Sequence, residues 1–180
     1  MENRIIEIMK CKNCPLCNNQ LPLLDNTISG DIMWVGLSAK KVVDITSSTP
    51  LENNSNSGKI IEQTEQKIPI YNFYKTNLLK CLPLDKNNKL RYPTINEMDK
   101  CISNLIYEID IIKPKLIFLL GRKTYNYVYN YFKNNNLDTD NIYYIEHPSY
   151  IYVYKKRYID EYISKIIEII NRNIMKENDI

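Results

Sequence analysis

A short apolar stretch between two glycines constrains this chain more than any other segment. Ile32 to Val35 are all apolar, with Gly30 before them and Gly36 after them. Such a run is typical of a strand buried on both faces, as in the middle of a parallel sheet. Ligands of open α/β sheets bind outside the carboxyl ends of the strands, although an ordinary strand-to-loop turn would explain the same residues. We expect a site lined by Leu37, Ser38, Ala39, Lys40 and Lys41.

Further apolar segments alternate with helical patterns along the chain. After a short amphipathic start at 1–10, strands are predicted within 71–82, 115–120 and 141–145, and helices over about 58–66, 93–112, 122–134 and 153–176. Asn56 or Ser57 is the predicted N-cap of the first of these helices, and 42–56 is a predicted loop or lid. Strand and helix therefore alternate four times, which favours a three-layer α/β/α sandwich around a small parallel sheet.

Length and composition indicate an ordinary globular protein. The 180 residues, 44% of them hydrophobic, are enough for one domain over 1–180 with a real core. A net charge of +3 permits an anionic partner without demanding one. The charged N-terminus predicts no signal peptide, and no apolar segment is long enough to predict a membrane span. We expect a cytoplasmic monomer in which thiols stay reduced.

The cysteines form the clearest candidate metal site. Cys11, Cys14 and Cys17 lie within seven residues, while Cys81 follows a predicted strand and Cys101 lies in a predicted helix. A Cys-x-x-Cys pair presents two thiolates to one centre, and two more cysteines complete a set of four. Structural zinc and a [4Fe–4S] cluster both fit that set, and Cys14 with Cys17 is an alternative N-terminal pair. The alternative to metal binding is that these cysteines are buried free thiols.

Several motifs then occur in a fixed order. They are Cys11-Lys-Asn-Cys14-Pro-Leu, Val35-Gly36-Leu37-Ser38-Ala39, Pro50-Leu51 with Asn56-Ser57-Gly58, Thr76-Asn77-Leu-Leu-Lys80-Cys81, the strand 115–121, and His147-Pro148-Ser149. Over roughly residues 11 to 170 this order resembles the uracil-DNA glycosylase superfamily, and within it the bacterial and archaeal branch that carries an iron–sulfur cluster.

The resemblance implies a fold, a cofactor and an activity. The fold would be a four-stranded parallel sheet flanked by helices. The cluster would be mainly structural, with Cys11, Cys14, Cys81 and Cys101 as its ligands and Cys17 as a spare or alternative ligand. The activity would be that of a DNA glycosylase, which hydrolyses the N-glycosidic bond of uracil or of another deaminated or modified base. The partner would be single- or double-stranded DNA.

The chemistry of such a reaction suits two residues in these motifs. The base must be flipped into a pocket, and the pocket must stabilise the negative charge of the departing base. His147, the only histidine, is predicted to donate a hydrogen bond to a base carbonyl. Asn77 carries the donor and acceptor needed to read a Watson–Crick edge. The candidate substrate-binding residues are Gly36, Leu37, Ser38, Leu51, Asn77 and Ser149, of which Ser149 is equally suited to cap a helix.

Two residues depart from the family pattern. Leu37 stands where the cluster-bearing uracil enzymes have a glutamate, and leucine cannot orient or deprotonate water. Asp44, farther along the same loop, is therefore a third candidate catalytic residue, for positioning water. Leu51 stands near the usual stacking aromatic, so Tyr71 or Phe73 is a candidate to stack on the base instead. These departures leave the identity of the base open.

Basic residues provide candidate phosphate contacts, namely Lys40, Lys41, Lys80, Lys155, Lys156 and Arg157. No lysine stands in a motif position for Schiff-base chemistry, which favours a monofunctional enzyme. Leu37 motivates an alternative function, that of a catalytically silent, cluster-bearing module that binds DNA or protein. A third hypothesis is a zinc-binding α/β protein that acts on nucleotides.

Overall fold

The computed structural model describes residues 2–174 as alternating helices and strands. The helices are α1 (Glu2–Met9), α2 (Asn56–Lys67), α3 (Ile95–Ile112), α4 (Arg122–Asn134), α5 (Pro148–Tyr154) and α6 (Ile159–Ile174). The strands are β1 (Ile32–Ser38), β2 (Phe73–Leu79), β3 (Leu116–Leu120) and β4 (Ile142–Ile145). Short 3-10 helices cover Pro15–Asn18 and Lys156–Tyr158.

All four strands are parallel and lie in the order β2-β1-β3-β4. β1 is therefore an interior strand, as its unbroken apolar run predicts, and its first five residues are buried. The chain leaves β1 toward β2 on one side and later returns to place β3 on the other side. Strand order thus reverses beside β1, which is the point where ligands bind in open α/β sheets.

The two faces of the sheet are covered by different helices. Met33 and Val35 point into a core that includes residues of α3 and α4, whereas Ile32 and Trp34 point into one that includes residues of α2 and α6. This alternation follows from the two-residue period of a strand. The predicted three-layer α/β/α sandwich with a four-stranded parallel sheet is confirmed.

Some helix boundaries differ from prediction. The chain from 153 to 174 is not one helix, because α5 ends at Tyr154 and α6 begins at Ile159 after a 3-10 turn. The predicted end at residue 176 lies outside the described residues. The N-cap of α2 is Ser55, whose side chain accepts from Gly58 N–H, rather than Asn56 or Ser57. The capping box predicted at the start of α3 is present, with Thr94 and Glu97 bonding each other's backbone N–H groups.

Within residues 2–174, no helix is both long enough and apolar enough to cross a membrane.

Candidate active site

A cavity of about 340 Å³ lies at the carboxyl ends of the strands. Such a volume falls within the range of small-molecule pockets. Its lining comprises Gly36, Leu37, Ser38, Leu51, Asn77, Leu90, Arg91, Tyr92 and His147. The structure therefore brings together the predicted catalytic and substrate-binding residues except Asp44 and Ser149. Ala39, Lys40 and Lys41, which were also expected to line a site at this strand end, do not line the cavity, and Ala39 is fully buried.

Asn77 enters the cavity from β2, directly across the strand pairing from Gly36 of β1. A Cβ atom at position 36 would overlap Oδ1 of Asn77, so the glycine leaves the space that the carboxamide occupies. Asn77 is buried, with only 3% of its surface exposed. No residue in the described range 2–174 forms a hydrogen bond with its carboxamide, which leaves both its donor and its acceptor for a ligand.

His147 enters the cavity from the loop between β4 and α5 and forms the N-cap of α5. Its Nδ1 accepts a hydrogen bond from Ser149 N–H at 3.3 Å and lies 2.8 Å from Ser149 Oγ. With Nδ1 as the acceptor, the proton of the neutral ring is on Nε2. Burial lowers the pKa of His147 below its ordinary value, which favours this neutral form.

Gly121, after β3, makes room for His147. Its φ of +85° is one that L side chains rarely adopt, and a Cβ there would lie 3.2 Å from the Cβ of His147. Ser149 is near the site through its contacts with His147, although it does not line the cavity. Ser149 therefore lies against the imidazole instead of in the cavity, and it does not cap α5, because the N-cap of that helix is His147.

An apolar wall completes one side of the cavity. Leu37 and Leu51 both line it, and Leu51 has a φ of +56°, a left-handed conformation that is uncommon for a leucine. Backbone strain of this kind concentrates at functional sites. The wall offers no charge to a ligand.

Asp44 lies outside this lining, contrary to the role suggested for it. Its carboxylate accepts hydrogen bonds from Thr46 N–H at 2.9 Å and from the hydroxyl groups of Thr46 and Ser47 at 2.7 and 2.9 Å. These bonds lower the pKa of Asp44 and close a local turn on the protein surface. Among the described residues that line the cavity, none is an Asp or Glu.

The suggested stacking residues Tyr71 and Phe73 are also elsewhere. Both pack against the core on the α2 and α6 face of the sheet, where the ring of Phe73 stacks on Trp34 with centroids 6.3 Å apart. The suggestion is therefore wrong for both residues, because these rings contribute to the core instead of facing the cavity.

Sequence reasoning missed a cavity wall formed by Leu90, Arg91 and Tyr92. Arg91 bonds both carboxylate oxygens of Glu97, at 2.8 and 2.5 Å, and this interaction lowers the pKa of Glu97 to about 2. The Asp85 turn, whose carboxylate accepts from the N–H groups of Asn87 and Lys89, signals a chain reversal here. The sequence pattern around this turn does not show which of the following residues face the cavity, because that depends on how the segment packs.

The suggested phosphate contacts fall into three groups. Lys80 is 1% exposed and pairs with buried Glu108, so it cannot reach a phosphate group. Lys40 and Lys155 are ion-paired with Glu52 at 3.3 Å and with Glu146 at 2.9 Å. The remaining three, Lys41, Lys156 and Arg157, are exposed at the surface.

Lys80 lies between the two sites, because it lines the cavity of the cysteines and also bonds Asn77 of the active-site cavity. Its Nζ donates to the backbone carbonyl of Asn77 at 2.6 Å and to Oγ1 of Thr76 at 2.7 Å, and it also pairs with Glu108. Glu108, which is fully buried, accepts from the hydroxyl groups of Tyr74 and Thr76 as well. This network fixes the end of β2 at the residue that enters the cavity.

All five cysteines line a second, smaller cavity. Asn104 Nδ2 lies 3.6 Å from the sulfur of Cys11 and 3.8 Å from that of Cys101, so the N-terminal segment meets α3 there. Burial, together with the neighbouring thiols, raises the pKa of Cys81. In the described part of the chain, no three His, Cys, Asp or Glu side chains converge on a point where one metal ion would bind.

Comparison with known proteins agrees with this geometry. The model of the uracil DNA glycosylase superfamily matches residues 20–170. The chain is 29% identical over 137 residues to the type-4 uracil-DNA glycosylase of Archaeoglobus fulgidus, covering 73% of this chain and 65% of that protein. It is 30% identical over 159 residues to the enzyme of that name from Sulfurisphaera tokodaii, covering 85% of this chain and 67% of that protein. The chain thus spans about two thirds of the length of these curated relatives.

The fold has a solved counterpart in the crystal structure of wild-type SMUG2 from Pedobacter heparinus. The TM-score is 0.63 over 80% of this chain and 76% of that one, at 16% sequence identity, which establishes a shared fold alone. The family match covers all four strands of the sheet, helices α2 to α5, and both Asn77 and His147. The chain belongs to the uracil DNA glycosylase superfamily.

Proposed function

We propose that this protein is a monofunctional DNA glycosylase that hydrolyses the N-glycosidic bond of uracil, or of another deaminated or modified base, flipped out of DNA. The observation that carries this proposal is the position of Asn77 and His147 in one cavity with an apolar wall. The names of two relatives, both type-4 uracil-DNA glycosylases, support uracil as the first substrate to test.

Asn77 would recognise the base. Its carboxamide offers one donor group and one acceptor oxygen side by side, as the Watson–Crick edge of uracil requires. Because the backbone of Asn77 is fixed by Lys80, the carboxamide is held in place before the base arrives. Preorganisation of this kind lowers the cost of binding in the reactive geometry.

His147 would stabilise the leaving base. As the bond between C1′ and the base breaks, its electron pair moves onto the base and negative charge develops on a carbonyl oxygen. The Nε2–H of neutral His147 donates to that oxygen as a preorganised donor. A water oxygen then bonds to C1′ and releases its proton to solvent, leaving an abasic site and the free base.

This pathway relies on stabilising the leaving group more than on activating water. Leu37 and Leu51 form an apolar wall, and Ser38 is the only Ser or Thr among the described residues that line the cavity. Ser38 is therefore our candidate to orient the attacking water. Asp44 has no part in this mechanism because its carboxylate is engaged in a surface turn.

We further infer that the cysteine cavity holds a [4Fe–4S] cluster, with Cys11, Cys14, Cys81 and Cys101 as ligands. Zinc needs four sulfurs about 2.3 Å from one point, whereas a cluster accepts ligands spread around a larger core. The cysteine sulfurs line a cavity but do not converge on one point, and this arrangement fits a cluster better than it fits zinc. Its contribution would be structural, joining the N-terminal segment to the loop after β2 and to α3.

The test is a base-excision assay with the metal-loaded protein. End-labelled oligonucleotides carrying uracil, hypoxanthine or other altered bases, in single and double strands, are incubated with the protein and then treated with hot alkali. We expect strand scission at the altered base, and its loss in His147→Ala with the melting temperature retained. DNA binding without scission at any altered base would instead indicate a catalytically silent binding module.

A further inference from the structure

The aromatic ring that faces this cavity comes from an unexpected segment. Enzymes that flip a base hold it by stacking it between aromatic or apolar side chains. Within the described range 2–174, Tyr92 is the only Phe, Tyr or Trp that lines the cavity, which it shares with Asn77 and His147. Tyr71 and Phe73 are engaged in the core, and Leu51 brings an aliphatic side chain.

The backbone of Tyr92 is held firmly. Arg91 Nη1 donates to the carbonyl of Tyr92 at 3.0 Å, and Arg91 Nε donates to that of Leu84 at 2.9 Å. Arg91 is in turn bonded to Glu97 in the first turn of α3. A stacking residue requires such support, because the entropic cost of ordering a mobile loop on binding would offset the free energy of stacking.

The ring of Tyr92 is available on one side. Lys123, in the first turn of α4, places its ammonium group 3.4 Å from the ring centroid, so a cation covers one face. Tyr92 is nevertheless 67% exposed, which leaves the other face accessible. A large exposed ring at the edge of a cavity is costly to hydrate and gains by covering a flat partner.

We propose that Tyr92 is the residue on which the extruded base stacks, in place of an aromatic side chain at position 51. The proposal rests on the proposed glycosylase function and deepens it by assigning the third contact of the base. Asn77 and His147 bind the edge of the base, and Tyr92 covers its face. Stacking on the ring needs no hydroxyl group, so Phe and Trp can replace Tyr92 but Leu cannot.

Binding to an uncleavable substrate tests this proposal without requiring turnover. The probe is a fluorescent single-stranded oligonucleotide with one 2′-fluoro-2′-deoxyuridine, compared with the same strand carrying thymidine. The ratio of the two dissociation constants is measured for the unaltered protein and for Tyr92→Phe, Tyr92→Trp and Tyr92→Leu. Tyr158→Leu is the matched control, since Tyr158 is 43% exposed and does not line the cavity.

We expect Tyr92→Leu to lower the preference for the uridine strand by about 5- to 150-fold, the range typical of base–aromatic stacking. Tyr92→Phe, Tyr92→Trp and Tyr158→Leu should stay within about twofold of the unaltered protein. An unchanged preference in Tyr92→Leu would overturn the proposal, as would an equal loss in Tyr92→Phe. If the unaltered protein itself shows no preference while still binding both strands, the failure is that of the proposed recognition of uracil.

Discussion

Gly36 and Asn77 occupy paired positions on β1 and β2, and the absence of a side chain on the first is what allows the second to fill its place in the cavity. A second close approach of this kind, although not between paired strands, occurs between Gly121 and the side chain of His147. Each of the two candidate residues that contact the base is thus seated against a glycine on a neighbouring segment. Glycine leaves room at both positions because the side chains of Asn77 and His147 lie directly against it.

Gly36→Ala should lower the activity of the protein without unfolding it. The new methyl group would collide with Oδ1 of Asn77, the end of a side chain that can rotate away. We expect kcat/KM to fall about 100-fold, as for small misplacements of positioned groups, while the free energy of unfolding changes by less than about 1 kcal/mol.

Gly30→Ala is the control for that substitution. A Cβ at Gly30 would lie 2.8 Å from the Cβ and backbone N of Tyr74, atoms that cannot move aside. This variant should lose stability and keep the kcat/KM of its folded fraction. Equal activity of Gly36→Ala and the unaltered protein would contradict the assigned role of Asn77.

The pH profile should report on His147. Burial lowers the pKa of this imidazole, so the neutral form that donates through Nε2 persists below the ordinary value of about 6.5. We expect kcat/KM to hold as pH falls past 6.5 and to decline at the lower folded-state pKa. An acidic limb at or above 6.5, measured under single-turnover conditions, would contradict this assignment.

The pH dependence of folding stability should also report on His147. The unfolded chain binds a proton at His147 more readily than the folded chain does, so unfolding gains protons between the two pKa values. The contribution of His147 to stability is therefore complete above about pH 6.5 and is lost as pH falls through the folded-state pKa. The difference between the unaltered protein and His147→Asn in urea titrations at several pH values measures it.

Lys80→Met should destabilise the fold by about 3–5 kcal/mol, because it leaves the buried carboxyl group of Glu108 without its cation. The double variant Lys80→Met/Glu108→Leu removes both charges and should recover most of that loss in urea unfolding. It would still lack the hydrogen bond to the Asn77 carbonyl, so its kcat/KM should remain lowered. Full activity in a stable double variant would show that Lys80 does not position Asn77.

Cysteine substitutions should separate the ligands from the spare thiol. Cys101→Ser is expected to abolish visible absorption and most bound iron in anaerobically purified protein, whereas Cys17→Ser should retain both. The contacts of Asn104 with the sulfurs of Cys11 and Cys101, which Cys17 does not share, motivate this difference. Zinc in place of iron, or loss of iron in Cys17→Ser with retention in Cys11→Ser, would contradict the assigned ligand set.

The spacing of apolar residues along the sequence predicts most of the architecture. Fully apolar strands such as 32–35 and 116–120, each ending near a glycine, predict interior parallel strands, and the capping box at Thr94 predicts the start of α3. The break between α5 and α6 escaped prediction because the apolar spacing continues across it. A 3-10 helix at Lys156–Tyr158 separates the two helices, next to the ion pair of Lys155 with Glu146.

The amino-acid order by itself determined the strands, the helices, the family motifs and the residue types able to bind a base. Tertiary structure alone decided that Asn77 and His147 share a cavity, that Asp44 turns away to the surface, that Lys80 is buried with Glu108 and that Tyr92 faces the site. The reason is physical. Strand and helix patterns depend on neighbours within a few residues, whereas a cavity is formed by side chains that only the packing of distant segments brings together.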